Sequence, residues 1–342
     1  MNIVICTSQV PFVRGGAEEL ADGLTRALLA QGHTVEQVAL PFKWYPRAQI
    51  EKTALLWRTL DLSALGGRKI DMVVCTKFPT WAIRHPRKVV WLVHQHRQAY
   101  DWYGTPLTDF DLNQPDQHTR RVIMETDRLG IGEASKVFTI SQNVADRLAR
   151  YNGLKGVPLY PPLKHNLWYQ ADYSDYVFYL GRLDSAKRID LLLRAMQHTK
   201  TPVRAIIGGS GPDLERLQSL SHSLKLTSRV EFLGRVAETE AVRLYAGALA
   251  VFYAPIDEDY GYVTLEAMRS SKPVLTGPDS GGVLEFVRDS YNGFICSDSS
   301  AYATAIDRLY QDRALAAHLG AAGYQTSQIV PTWNEVATQI TG

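Results

Sequence analysis

Short apolar runs alternate with segments of helical periodicity along the whole chain. NIVIC near the start is followed by Leu20, Leu24, Ala27 and Leu28, which recur at the spacing of one helix face before Gly32. Similar apolar runs follow at DMVVCT, KVVWLV and KVFTIS and, in the second half, at YVFYL, VRAIIG, RVEFLG, LAVFYA, KPVLT and GFIC. Strands that alternate with helices in this way are typical of α/β domains with parallel sheets.

A proline-rich run divides this alternation into two series. LKGVPLYPPLKHN (154–166) holds three prolines and shows no periodicity, which is typical of a linker. Two successive strand–helix series predict two Rossmann-like, doubly wound α/β domains facing a cleft, with boundaries at 1–160 and 161–325. Residues 326–342 form a further C-terminal segment that ends in a predicted helix.

The composition indicates a globular protein of two domains. The 342 residues are 45% hydrophobic, which is enough to fill two cores. The three cysteines are odd in number, lie in or beside apolar runs and show no CxxC spacing, so we expect reduced core thiols in a cytoplasmic protein. The pattern contains no signal peptide and no run of membrane-spanning length.

The net charge of +2 hides an uneven distribution. Residues 1–170 hold 21 Lys and Arg against 15 Asp and Glu, whereas the remainder holds 16 against 20. A basic first half can attract anionic lipid or an anionic acceptor, which suggests peripheral contact with the inner face of the plasma membrane. An ordinary solvated surface explains the same counts equally well. We expect no nucleic-acid partner.

Glycines and cations follow several of the predicted strands, where ligands bind in sheets of this type. Gly15-Gly16 opens the first helix, and such a pair lets the backbone approach an anion, although it is more often only a tight turn. Arg182 and Lys187 follow the first strand of the second half, where they could meet a diphosphate. Elsewhere such a pair would be read as solvated surface cations.

Two further glycine-rich loops and a pair of glutamates complete the strand-end pattern. GGSG (208–211) lacks the spacing of the dinucleotide fingerprint, which disfavours an oxidoreductase, and Gly281-Gly282 follows a later strand. Glu258 and Glu266 stand with seven residues between them, the first in a loop and the second in a predicted helix. Taken together, four such loops predict a nucleotide-sugar cleft.

These strand-end motifs resemble a known family. GRLDSAKRID, FLGRV, EDYGYVTLEAMRSSKPVL and GGVLEFVRDSYNGFI are similar to the C-terminal motif series of retaining glycosyltransferases of the GT-B fold, the large family 4 group. GGAEELADGLTRALLAQGHTV resembles the N-terminal glycine loop and helix of that group. The resemblance covers nearly the whole chain, and the pair of glutamates is its most specific element.

The resemblance implies a division of the sugar nucleotide among these residues. Glu266 would bind the ribose hydroxyls, and Glu258 would bind hydroxyls of the transferred sugar. The implied diphosphate-binding residues are Gly15, Gly16, Arg182, Lys187, Val263 and Thr264. The implied sugar-binding residues are Glu258, Asp259, Tyr260, Gly261 and Tyr262, and Arg235 and Val236 would cradle the base beside Glu266.

The resemblance also implies a histidine at the reaction centre. His94, at the end of KVVWLV, matches the position of a family histidine that sits beside the donor sugar, so His94 and Glu258 are the predicted catalytic residues. His96, further into the loop, is the less favoured alternative, and either residue could be an ordinary hydrogen-bonded loop histidine.

Metals and cofactors are not expected. DED (257–259) and DFD (109–111) match the D-x-D metal motif of the other large glycosyltransferase fold. The first, however, lies inside the loop that carries Glu258, and the second follows no predicted strand. In the architecture that the chain resembles, Arg, Lys and a helix dipole take the place of the divalent ion in stabilising the departing diphosphate.

The resemblance implies a retaining, metal-independent hexosyltransferase. It would move a sugar from a nucleoside diphosphate sugar, with a UDP-sugar such as UDP-glucose favoured, to a hydroxyl of a saccharide or lipid-linked acceptor in polysaccharide or glycolipid biosynthesis. The helix within 326–342 would cross back to the N-terminal domain. A non-catalytic sugar-nucleotide-binding subunit and a nucleotide-sugar epimerase of the same fold remain alternatives.

Overall fold

The computed structural model describes residues 1–12, 15–164 and 167–342. The last two positions of the predicted linker therefore lie outside the described residues, as do the two that precede Gly15. The chain divides into two compact units, Met1–Lys164 with Val330–Gly342 and His165–Ile329. Each unit is built on a six-stranded parallel sheet, which confirms the prediction of two Rossmann-like α/β domains.

The N-terminal unit alternates strands and helices up to residue 158. Its elements are β1 (Asn2–Gln9), α1 (Gly16–Ala30), β2 (Thr34–Pro41), α2 (Ala48–Thr59), β3 (Ala64–Leu65), β4 (Arg68–Lys69), β5 (Met72–Cys75), β6 (Lys88–Leu92), α3 (Gln114–Gly132), β7 (Lys136–Thr139), α4 (Gln142–Asn152) and β8 (Val157–Pro158). The sheet has the order β2-β1-β5-β6-β7-β8, and β3 and β4 pair as a small antiparallel hairpin.

The C-terminal unit repeats the alternation. Its elements are β9 (Tyr176–Leu180), α5 (Ile189–His198), β10 (Arg204–Gly208), α6 (Leu214–Ser223), β11 (Val230–Gly234), α7 (Glu238–Gly247), β12 (Ala250–Phe252), α8 (Tyr262–Arg269), β13 (Val274–Thr276), β14 (Gly293–Ile295), α9 (Ser299–Gln311) and α10 (Arg313–Ser327). The order β11-β10-β9-β12-β13-β14 is that of the Rossmann fold.

The apolar runs form the buried strands, and the strands that the pattern missed lie at a margin or are very short. Every residue of β5 and β6 is buried, as expected for central parallel strands covered on both faces. β2 lies at the edge of its sheet and mixes exposed with buried positions, so it has no continuous apolar run. The three cysteines are buried as free thiols.

The C-terminal helix α11 (Trp333–Thr341) packs within the N-terminal unit. A Cβ on Gly23 of α1 would lie only 2.2 Å from Cζ2 of Trp333, so glycine is what allows this close approach. The indole of Trp333 also donates to the carbonyl of Leu163 at 3.0 Å. The preceding helix α10 continues to Ser327, so the segment that returns begins at Val330. None of the helices in the described part of the chain combines the length and the apolar character needed to cross a bilayer.

Candidate active site

The candidate site lies where the strand order of the C-terminal sheet changes direction. β9 pairs with β10 on one side and with β12 on the other, so the chain leaves β9 towards opposite edges of the sheet in turn. Such a position is called the switch point of the sheet, and ligands of open α/β sheets bind there, at the carboxyl ends of the strands. Arg182 and Lys187 follow β9 and Glu258 follows β12, so the fold brings these three residues to one place.

Lys187 and Glu258 form an ion pair at this point, between Nζ and Oε2. Each side chain is 20% exposed, and the Lys187 ammonium also lies 3.4 Å from the hydroxyl of Tyr253. Burial acts to lower the pKa of Lys187, but the attraction and hydrogen bond of the Glu258 carboxylate outweigh it and leave the pKa raised. Lys187 is therefore a stable cation at the switch point.

Tyr253 supports this pair from within the core. Its side chain is buried, and burial, followed by the charge of Glu258, raises the pKa of the phenol well above its usual value. A phenol that stays neutral keeps its proton and can donate a hydrogen bond to Glu258.

Arg182 is fixed through its backbone while its guanidinium stays exposed. The hydroxyl of Tyr179 donates to the carbonyl of Arg182 at 2.8 Å. The Arg182 side chain is 67% exposed and makes a long contact, 3.4 Å from Nε to Oδ2 of Asp184. An exposed fork of donors on a fixed backbone suits a ligand phosphate.

α8 begins directly after the loop that carries Glu258. Gly261 has a φ of +87°, which favours glycine, and a Cβ there would meet Cγ2 of Val283 at 3.0 Å. The first amides of a helix, such as that of Val263, have no acceptor within the helix. The amide of Thr264, by contrast, donates to the carbonyl of Gly261 at 2.9 Å. Its buried Oγ1 has no hydrogen-bond partner among the described residues, so the hydroxyl is the group that Thr264 offers.

Glu266 lies further along α8 and is held by Tyr245 of α7. The hydroxyl of Tyr245 donates to Oε2 of Glu266 at 2.7 Å, and the tyrosine ring packs edge-on against Phe178 and Trp168. Burial raises the pKa of Glu266 to about 7, against the opposing effect of the Tyr245 hydrogen bond and with a smaller rise from Glu238. Near neutral pH the carboxyl group is therefore poised between its two protonation states.

The loop that carries Glu258 is tied to the loop that follows β13. The amide of Gly282 donates to the carbonyl of Glu258 at 2.7 Å, and a Cβ on Gly282 would lie 2.6 Å from the carbonyl oxygen of Asp259. Tyr260 is buried against the rings of Tyr262 and Phe286, with centroids 5.2 and 5.5 Å apart. Its side chain therefore anchors the loop in the core, and the sugar-binding role that the resemblance implies for Tyr260 stays a prediction.

The residues after β11 lie beside the loop that follows β10. A Cβ on Gly208 would lie 2.8 Å from Cγ2 of Val236, so this side chain packs against the glycine loop. Arg235 is exposed. Gly234, with φ of +67°, makes the turn between the strand and these two residues.

The N-terminus of α1 is occupied by a side chain of its own helix. The amide of Gly15 donates to Oε2 of Glu18 at 2.8 Å, and Glu18 pairs with Lys77 at 3.0 Å. A carboxylate at this helix end opposes the approach of another anion. The structure thus weakens the expected diphosphate role of Gly15 and Gly16.

The two candidate histidines occupy different environments. His94 is half-buried, and its Nδ1 lies 2.7 Å from the carbonyl oxygen of Gln95. His96 packs against the rings of Phe42, Phe78 and Phe110, and burial, followed by the charges of His94 and Arg47, lowers its pKa to about 3. His96 is half-buried like His94, but its ring packs against aromatic rings and stays neutral, which favours His94 over His96 as the histidine of the reaction centre.

The first aspartate of the DFD motif and the backbone of the second make structural contacts. Asp109 and Asp116 both pair with Arg47, at 3.2 and 3.4 Å, and the amide of Asp111 donates to Oδ2 of Asp116 at 2.7 Å. Over residues 1–12, 15–164 and 167–342, no group of three or more His, Cys, Asp or Glu side chains is placed to hold a metal ion.

With this geometry in place, the chain can be compared with known proteins. Residues 170–326 match the family model described as Glycosyl transferases group 1. An uncharacterized glycosyltransferase, MJ1607, of Methanocaldococcus jannaschii is 23% identical over 91% of this chain and 90% of that protein. A GDP-mannose-dependent alpha-(1-6)-phosphatidylinositol monomannoside mannosyltransferase of Mycobacterium tuberculosis is 32% identical, but over only 47% of this chain and 45% of that protein.

Solved structures match over the full length. Anabaena Alr3699/HepE in complex with UDP-glucose has a TM-score of 0.74 at 18% identity, covering 99% of this chain and 98% of that one. Sucrose-phosphate synthase from Thermosynechococcus elongatus has a TM-score of 0.77 at 20% identity, covering 99% and 97%. The chain has the GT-B glycosyltransferase fold. The part of the chain that matches the family model, residues 170–326, is similar to glycosyl transferases of group 1.

Several residues that shape the site carry no signal in the sequence pattern. Arg188, with φ of +52°, donates to the carbonyls of Ala254 and Pro255 and pairs with Asp279 at 2.6 Å, so it braces the loop before Glu258. Tyr253 lay within an apolar run that was interpreted only as a strand. The alternation of strands and helices offered no signal for either residue, because their partners are distant in the chain.

The glycines of GGSG serve packing. A Cβ on Gly209 would lie 1.8 Å from the carbonyl oxygen of Gly181, and a Cβ on Gly211 would lie 2.2 Å from that of Leu183. These glycines let the loop after β10 lie against the loop after β9, which carries Arg182 and Lys187. Their role explains a glycine-rich loop that does not have the dinucleotide-binding spacing.

Proposed function

We propose that this protein is a retaining glycosyltransferase that moves a hexose from a nucleoside diphosphate sugar to an acceptor hydroxyl. The observation that carries the proposal is the convergence of Lys187, Glu258 and Arg182 at the switch point of a Rossmann-type sheet. Lys187 is paired with the carboxylate of Glu258, and Arg182 follows the same strand with its side chain exposed, which suits a ligand that bears both phosphates and hydroxyls.

Each part of the donor is assigned to a part of the C-terminal unit. Arg182, Lys187 and the N-terminus of α8 bind the diphosphate, where charge develops as the bond to the sugar breaks. Glu258 accepts hydrogen bonds from hydroxyls of the transferred sugar. Glu266 accepts them from the ribose, and Arg235 and Val236 lie beside the base.

The proposed reaction uses this placement of charge. The bond between the anomeric carbon and the leaving phosphate oxygen breaks while the acceptor oxygen forms its bond to the same face of that carbon. The acceptor proton passes to the departing phosphate, whose negative charge Lys187 and Arg182 stabilise. His94 contributes a hydrogen bond to the reacting sugar. Glu258 is paired with Lys187, which suits hydroxyl binding better than nucleophilic attack.

The base of the donor nucleotide is proposed from the nucleotides that similar proteins bind. The Anabaena HepE structures are complexes with UDP and with UDP-glucose, whereas the mycobacterial relative is GDP-mannose-dependent. We favour a UDP-sugar because the full-length structural likeness includes UDP complexes. The acceptor is a saccharide or a lipid-linked saccharide in polysaccharide or glycolipid biosynthesis.

The test compares nucleotides first and sugars second. Calorimetric titration with UDP, GDP and ADP should give one clear binder, and the matching sugar nucleotides should then be hydrolysed slowly without an acceptor. With an acceptor, NMR of the product should show the anomeric configuration of the donor. Binding of no nucleoside diphosphate would overturn the proposal. Conversion of the donor to another sugar nucleotide would indicate an epimerase, and tight binding without turnover would indicate a binding subunit.

Peripheral membrane contact is proposed on charge alone. The excess of Lys and Arg over residues 1–170 should draw the protein to vesicles that contain anionic lipid at low salt, and salt should release it. Sedimentation with anionic and with neutral vesicles tests this. Equal binding to both would leave the charge asymmetry without a membrane role.

A further inference from the structure

A chain of buried and half-buried hydrogen bonds runs from the core of the N-terminal unit to the residue after His94. Asp127 of α3 accepts from the hydroxyl of Tyr100 through Oδ2 at 2.7 Å. The same hydroxyl accepts from Nδ2 of Asn152 at 3.1 Å, and Oδ1 of Asn152 accepts from Nε2 of Gln95 at 2.5 Å. Trp81 donates to the other carboxylate oxygen of Asp127 at 2.8 Å.

The direction of each bond in this chain is set by its first member. Burial raises the pKa of Asp127 to about 7, and above that pH the ionised carboxylate accepts only, so Tyr100 donates to it and can then accept only from the amide nitrogen of Asn152. This fixes the amide oxygen of Asn152 towards Gln95. Asp127 and Gln95 are fully buried, Tyr100 is 3% exposed and Asn152 is half-buried. The bond between Tyr100 and Asp127 is therefore shielded from water, and the two bonds of Asn152 are partly shielded.

The hydrogen-bond chain connects three elements that are distant in sequence. Asp127 lies in α3, Asn152 is the last residue of α4, and Gln95 and Tyr100 flank a short 3-10 helix, Arg97–Ala99, in the loop after β6. Gln95 is therefore held from both helices. A side chain held in this way restrains the rotation of its own backbone, and so restrains the carbonyl of Gln95.

The carbonyl of Gln95 determines the protonation pattern of the His94 ring. It lies 2.7 Å from Nδ1 of His94, and a carbonyl oxygen can only accept. Nδ1 must therefore carry a proton, which leaves the lone pair of the neutral ring on Nε2.

We propose that Asn152, Tyr100 and Asp127 are positioning residues that hold Gln95, and through it keep His94 in the tautomer whose Nε2 accepts a hydrogen bond from a substrate hydroxyl. The inference rests on the proposed function, which places His94 beside the reacting sugar. A displacement of about 1 Å in a group at a reaction centre can cost about 100-fold in rate. A series of hydrogen bonds that fixes both the position and the tautomer of the histidine would limit such displacement.

Two variants interrupt the hydrogen-bond chain at different points. Asn152→Leu keeps the branched shape of the side chain and removes both hydrogen bonds of the amide, whereas Tyr100→Phe removes only the hydroxyl that links Asn152 to Asp127. Thr119→Val is the matched control. Thr119 is a buried residue of α3, as Asp127 is, and its hydroxyl donates to Glu51 at 2.7 Å outside the chain.

Three readouts separate positioning from general stability. We expect Asn152→Leu to lower kcat about tenfold with a donor KM within about threefold of the wild type, and Tyr100→Phe to have a smaller effect in the same direction. Nitrogen-15 NMR, with the His94 signals assigned by their loss in His94→Ala, should show His94 mainly as the Nδ1–H tautomer and a shift towards a mixture in Asn152→Leu. Thr119→Val should lower the melting temperature without moving kcat or the tautomer.

The outcomes decide between this inference and the function on which it rests. An unchanged His94 tautomer in Asn152→Leu would overturn the inference whether or not the protein turns over a sugar nucleotide. A kcat that falls in Thr119→Val as far as in Asn152→Leu would do the same, because the loss would then follow stability. If the tautomer shifts as expected but no sugar nucleotide is used, the positioning chain stands and the proposed function fails.

Discussion

Lys187 and Glu258 stand 71 residues apart in the chain and form an ion pair at the switch point of the C-terminal sheet. The pair joins the cation assigned to the diphosphate with the carboxylate assigned to the sugar. A bound diphosphate must therefore share Lys187 with Glu258. This competition makes the two side chains separable by mutation, because one attracts the phosphates and the other repels them.

The first prediction concerns this pair. Lys187→Met should weaken UDP binding about 10- to 100-fold, because a hydrogen bond to a charged group contributes about 1.5–3 kcal/mol. Glu258→Gln should leave UDP affinity unchanged or raise it, because it removes a negative charge next to the phosphates. It should nevertheless lower transfer, since its partner belongs to the sugar and not to UDP. Calorimetry with UDP beside transfer kinetics measures both effects.

The control for this pair is Glu215→Gln, which removes an exposed carboxylate in the first turn of α6. It should change neither UDP affinity nor turnover. Equal loss of UDP affinity in Glu258→Gln and Lys187→Met would show that the two residues do not divide the ligand as proposed. Full transfer activity in Glu258→Gln would remove Glu258 from the reaction.

The second prediction is a pH dependence set by Glu266. Burial raises its pKa from an ordinary value near 4.5 to about 7, and only the ionised carboxylate accepts two ribose hydroxyls well. UDP affinity should therefore rise between pH 6 and pH 8 and level off above that range. The phosphates of UDP also titrate, so the same titration with Glu266→Gln supplies the baseline. A wild-type curve that runs parallel to that baseline would contradict the assignment.

The same group makes a prediction for stability, with the opposite sign. A carboxyl group whose pKa is raised by folding favours the folded state while it is protonated, fully below about pH 4.5, and this contribution is lost as the pH rises through about 7. The melting temperature of the wild type relative to Glu266→Gln should thus fall from pH 5 to pH 8. A difference between the two proteins that does not vary with pH would show that the carboxyl group titrates outside this range.

Tyr245 provides the third prediction, because its hydrogen bond opposes the effect of burial on Glu266. Tyr245→Phe removes the donor to Oε2 and should raise the pKa of Glu266 further. The pH at which UDP affinity rises should move upwards, while affinity at pH 9 should approach that of the wild type. Tyr310→Phe, on the outer part of α9, is a suitable control for a tyrosine change elsewhere in the unit. Loss of affinity at all pH values alike would mean that Tyr245 acts only on the packing of α7.

The alternation of apolar runs was enough to predict both sheets, because the central parallel strands are buried on both faces. The same reasoning missed β2, whose pattern is mixed because one side of this edge strand has no neighbour. It also missed the hairpin of β3 and β4, since two-residue strands are too short to show any period.

The site was predictable to the extent that it follows the order of the strands. Arg182, Lys187 and Glu258 could be placed at carboxyl ends, but their distances could not, because ion pairing depends on side-chain directions across two loops. The importance of Tyr245 and Arg188 was also hidden, since each acts on a residue 21 or more positions away. Tyr260 was assigned to the sugar from its place in a motif, and the packing of its ring against Phe286 could not be predicted from that motif.

The last prediction concerns metal ions and follows from the charges around the diphosphate. Lys187 is kept charged by Glu258, Arg182 exposes its donors, and the N-terminus of α8 adds a partial positive charge. These groups can stabilise the departing diphosphate without a divalent ion. Turnover in excess chelator should therefore stay within about twofold of turnover with added magnesium, whereas a metal-dependent glycosyltransferase assayed in the same buffer should lose its activity. Because Arg47 already engages Asp109, the DFD motif should not respond to manganese, and Asp109→Asn should not change the effect of the chelator. Strict dependence on manganese or magnesium would contradict this account and return Asp257 and Asp259 to consideration as metal ligands.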